Sequence, residues 1–190
     1  MLVKLLSEDD KAHFLKLAEL LSVADKPLLW DGKTKDEITP KTYMQKVSFA
    51  KGEAESKLLS DWSQEGSIGF AGVFGDIFSG KIEKQLLDQL ANIPIQKNTE
   101  QSVARFNAVA VVLHFLLKAK PTTTRHANRI MLYELMLMAL AGGEMSSIEY
   151  RFLEIFKQHH RIDDCDFDEI LERAKTTYRE VQKTIALVLE

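Results

Sequence analysis

Cysteine is almost missing from this chain. Among 190 residues there is one, Cys165, beside four prolines and nine glycines. A lone thiol closes no internal disulfide, which fits a reducing compartment. The opening Met1 to Asp10 carries too short an apolar run for a secretory signal and turns acidic at once. The most apolar stretch, Ile130 to Ala141, falls short of the roughly 20 residues that span a bilayer. A cytoplasmic location is expected. The net charge of -3 supplies no basic field, so no nucleic-acid partner is expected. Also missing are a Ser/His/Asp or Cys/His nucleophile arrangement, a P-loop and an H-E-x-x-H helix. The reading is of a protein that is not an enzyme, with no catalytic residue to nominate.

What is present is helical patterning. Ile130 to Ala141 is apolar or amphipathic throughout except at Glu134, as befits a buried central helix. Gly142-Gly143 stops it, and Ser146-Ser147-Ile148-Glu149 has the form of a capping box opening the next helix. Upstream, Ser7 with Glu8, Asp9 and Asp10 starts a first helix whose Phe14, Leu17, Ala18 and Leu21 recur at helical spacing. Pro27 ends it. Asp31-Gly32 marks a turn, Thr39-Pro40 suggests a short helix, and Ala54 to Trp62 another. A long apolar helix is expected from Thr99 to Lys120, stopped by Pro121 and forming an antiparallel pair with the central helix. Helices from Ser147 to about His159, and from Asp163 or Asp164 onward, complete the chain. The latter carries Phe167, Ile170, Leu171, Ala174, Tyr178, Val181, Ile185 and Leu189 on one side. No segment reads as a strand. The expected fold is all-α, a compact bundle of about seven to nine helices around two central apolar ones. It is read as a single domain over 1–190, with 28–95 as a candidate helical insertion.

One segment stands apart. Gly66, Gly69, Gly72 and Gly75 recur every third residue, interleaved with Phe70, Phe74 and Phe78, which share a helical face. The spacing is not that of a dinucleotide-binding loop. A membrane-touching or partner-gripping helix is one reading. A small-faced helix packed closely on a neighbour is favoured, because the segment lacks the Lys/Arg face of an interfacial helix.

The run Phe14 to Asp25 aligns loosely with Met131 to Gly142, both ending in alanine and a polar turn. Leu140-Ala141-Gly142-Gly143-Glu144-Met145-Ser146-Ser147-Ile148-Glu149 resembles the A-D-G-E turn, followed a few residues on by a glutamate, of the TerB-like family, named for tellurite resistance. The resemblance covers Thr124 to Leu171 and more faintly Ser7 to Asp25. It implies two weakly related helical halves, a cytoplasmic stress-response role, and a divalent cation (calcium, magnesium or manganese) held by acids near the turns. The acids that match are Asp25, Glu144 and Glu149. Gly142 replaces the family's aspartate in the second copy, and Lys26-Pro27 replace its glycine and glutamate in the first. Weak cation binding is the resulting expectation. The alternative is a protein–protein interaction module on the same fold with the metal site lost, its partner and oligomeric state left open.

Other acids invite simpler readings. Glu149 already closes the capping box. Asp31, Asp36 and Glu37 lie in a charged loop that solvent accounts for. Glu134, a carboxylate in an apolar helix, calls for a cationic partner, with His114, Arg105, Arg129 and Arg151 as candidates. The run His159-His160-Arg161-Ile162-Asp163-Asp164-Cys165-Asp166 lacks the paired spacing of a zinc site, and helix-end histidines with capping aspartates explain it.

Overall fold

A computed structural model describes residues 1–64, 71–92, 101–120 and 123–189, with the side chains of 64, 71–80 and 101 left aside. It contains seven α-helices among these residues: α1 (Glu8–Val23), α2 (Glu53–Gln64), α3 (Ala71–Asn92), α4 (Gln101–Ala119), α5 (Arg125–Ala141), α6 (Ser147–His159) and α7 (Asp164–Leu189). The helix starts follow the capping chemistry read from the sequence. Ser7 accepts from the Asp10 N–H, Thr124 from the Ala127 N–H, and Ser146 with Glu149 forms the full capping box. Asp163 caps α7, its carboxylate accepting from the Asp166 N–H at 2.8 Å. The aromatic stripe of Phe70, Phe74 and Phe78 and the start of a helix at Thr99 lie outside the described residues or side chains.

α5 is buried on nearly every side, from Ala127 to Leu140. Its central partner is not the one expected. α4 and α5 adjoin in sequence but make at most marginal contact, and α1 packs against α2, α3, α4 and α5 together. Phe14, Leu17, Ala18, Leu20 and Leu21 of α1 are wholly buried, with Trp62 of α2 set edge-on to Phe14 at 4.9 Å. α1 is the axle of the bundle. The sequence misleads here because α4 is apolar on both faces. Ala108, Val109, Leu113 and Leu117 enter the core, while Val111 and Phe115 stay exposed. Ser102–Ala119 of α4 is long and apolar enough to cross a membrane, by length and composition only.

The region after Pro27 corrects two expectations. Leu28–Trp30 (β1) and Val47–Phe49 (β2) pair antiparallel, Leu28 opposite Phe49 and Trp30 opposite Val47. Asp31 and Gly32 turn the chain through left-handed backbone, φ 51° and 76°, with Trp30 and Lys33 bonded across them. Three-residue strands are too short for an alternating pattern to stand out. No helix follows Pro40 either: Thr39 and Thr42 close a turn, and the capping box falls earlier, at Thr34 and Glu37, on a short 3-10 helix over Lys35–Glu37.

Candidate functional site

The end of α1, the start of α2 and the α5–α6 turn meet at one place. The last carbonyls of α1 would lie exposed, as at any helix C-terminus. Arg105 of α4 takes them. Its guanidinium donates to the carbonyls of Ala24 (2.8 Å), Val23 (2.5 Å) and Lys26 (2.9 Å) and lies 4.1 Å over the Phe49 ring. Burial pulls its pKa down to about 10, against the opposing influence of Asp25. This clamp fixes the direction in which Asp25 and Lys26 leave α1.

Lys26 turns inward. Its Nζ stands 2.7 Å from Glu55 Oε1 and 3.5 Å from Asp25 Oδ1. Glu55 belongs to α2 and is only 4% exposed. Gly52 makes room for it, since a Cβ there would sit 2.0 Å from Glu55 Oε2. Glu149, 5% exposed, faces the same lysine from the first turn of α6. Burial weakens the charge on Lys26, but Glu55, Asp25 and Glu149 outweigh it and hold the ammonium above its ordinary pKa. Burial, and after it Asp25, raises the Glu149 carboxyl, against its capping bonds to Ser146 and the pull of Lys26.

Gly142 completes the site. Its φ of −75° is open to any residue, so the glycine is not needed for backbone freedom. A Cβ at 142 would lie 3.1 Å from Glu55 Oε1 and 3.9 Å from Lys26 Nζ. A side chain at 142 would therefore crowd Glu55. The carboxylate nearest the lysine comes from α2.

Of the three acids expected to gather, Asp25 and Glu149 act on each other and on Lys26, and Glu144 is exposed. Glu55 and the role of Lys26 were missed. Glu55 did carry a signal: with Leu58, Leu59 and Trp62 it lies on the packed stripe of α2, where a carboxylate needs a reason. Among the described residues no group of three or more His, Cys, Asp or Glu is placed to hold a metal ion. A divalent cation drawn to Asp25, Glu55 and Glu149 would have to share them with the Lys26 ammonium.

Next to Glu55 opens a cavity of about 240 Å³, lined in part by Glu19, Ser22, Lys51 and Glu83. Burial first, then the neighbouring Glu83, lifts the Glu19 carboxyl to about 8, with Lys51 opposing. Glu83 accepts from the Phe49 N–H at 2.9 Å. This acid pair also escaped notice in the sequence.

The remaining candidates sit elsewhere. Glu134 accepts a hydrogen bond from the Leu2 N–H. Its four proposed partners have other described contacts: Arg105 in the clamp, Arg129 with Asp166, Arg151 over Phe106, and exposed His114 with the Ala110 carbonyl. Asp31 pairs with Lys46 at 3.5 Å, and Lys157 with Asp164 at 2.8 Å. His160 packs tilted against Phe156 and edge-on to His159, and burial pushes both it and His13 down to about 4. No protein-family model matches the chain, and no curated protein or solved structure is significantly similar to it.

Proposed function

We propose that this chain is a non-enzymatic, TerB-like helical protein whose acidic site is filled by its own lysine, leaving an interaction role rather than one in cation binding. The observation that carries the reading is the Lys26 ammonium 2.7 Å from buried Glu55 and 3.5 Å from Asp25, with Glu149 facing it. Hard cations need several oxygen ligands around one point, and a positive charge already stands among these. The cytoplasmic stress-response setting is carried by the family resemblance alone.

Thermal melts with and without millimolar calcium, magnesium or manganese test this. The parent should not shift, whereas Lys26→Met, with its acids uncovered, should gain stability on adding the ion. Ten times Kd would stabilise by about 1.4 kcal/mol. A shift in the parent that Glu149→Gln abolishes would restore the divalent-cation reading and overturn this one.

A further inference from the structure

α7 carries a seam of which only half is covered. From Leu171 the apolar residues fall at Ala174, Tyr178, Val181, Ile185 and Val188, in alternating steps of three and four. That is the 3.5-residue repeat of a helix packed lengthwise on another helix. The first part lies on α5, with Ala174 buried, Leu171 and Tyr178 half-buried, and the Tyr133 hydroxyl 2.9 Å from Thr177 Oγ1. Beyond that bond the cover ends. Val181 is 48% exposed, Ile185 45% and Val188 76%, with Leu189 beside them at 81%.

We infer that the second half of this seam docks against the same seam of a second copy, antiparallel across a two-fold axis. Three observations favour a copy of the chain. The seam is flanked by uncharged Thr177, Gln182 and Thr184, with Glu180 behind the two threonines, while Arg179 and Lys183 fall on the far side of the helix. Glu180 and Lys183 already pair with each other at 2.8 Å. The surface therefore meets itself without like-charge repulsion. The layers also match: in the antiparallel arrangement Ile185 of one copy faces Val181 of the other, and Tyr178 faces Val188. A parallel pairing would bring the two folded bodies, both at the start of this segment, into the same space. Four exposed apolar side chains are a small patch beside the roughly 800 Å² per partner of a standard interface, so association should be reversible and concentration-dependent.

Sedimentation velocity of the full chain from about 1 to 300 µM reads the self-association directly. The expected result is a monomer–dimer equilibrium with Kd on the order of 10 µM. Val181→Lys combined with Ile185→Lys should weaken it at least tenfold while leaving the thermal melt of the monomer in place, because both side chains are half exposed. A monomer at every concentration, or a dimer untouched by the double lysine variant, overturns the inference.

Discussion

Replacing Lys26 by methionine keeps most of the side-chain volume and removes the one ammonium in the acidic site. At 2.7 Å from Glu55, the lost attraction is about 6 kcal/mol at an effective dielectric constant near 20. The net loss is smaller. Methionine is cheaper to bury than lysine, which offsets part of the lost attraction. A destabilisation of about 3 kcal/mol is expected, in the range for breaking a buried pair from one side. Urea unfolding followed by far-ultraviolet circular dichroism measures it. Glu55→Gln in the same molecule should restore much of the loss, giving a coupling of about 2 kcal/mol. A penalty below about 1 kcal/mol at pH 7 would refute the pairing as the source of stability.

Stability should peak near pH 6.5. His13 and His160, lowered to about 4, each make the unfolded chain the stronger proton binder below 6.5, so stability is lost as pH falls from there toward 4. Glu19, raised to about 8, acts with the opposite sign: its contribution is lost as pH rises from about 4.5 through 8. Because Glu19 is partly exposed the effect is about 2 kcal/mol, and Glu19→Gln should flatten the alkaline limb of a melting-temperature profile; an unchanged limb would exclude Glu19 as its cause. Gly52→Ala should cost about 1–2 kcal/mol in chemical denaturation, since the new Cβ displaces the Glu55 carboxylate from its lysine, and much less in a Glu55→Ala background. Equal costs in both backgrounds would place the strain elsewhere.

Sequence alone determined most of the helices, the capped starts of α1, α5, α6 and α7, and the burial of α5. Those follow from interactions a few residues apart: the 3.6-residue apolar period, Ser7, Thr124 and Ser146 as caps, and the Gly142-Gly143 stop. The acidic turn was legible too, at Asp25 and Glu149. What packs against what was decided only in three dimensions. A two-faced apolar helix such as α4 does not announce which face is inner, and a three-residue ribbon has no periodicity to read. The same limit applied to the site. Lys26 read as a departure from a pattern, and Glu55, 29 positions further on, was not singled out at all. Only the folding of α2 across the end of α1 makes them a pair, because an ion pair depends on ångströms of separation and not on distance along the chain.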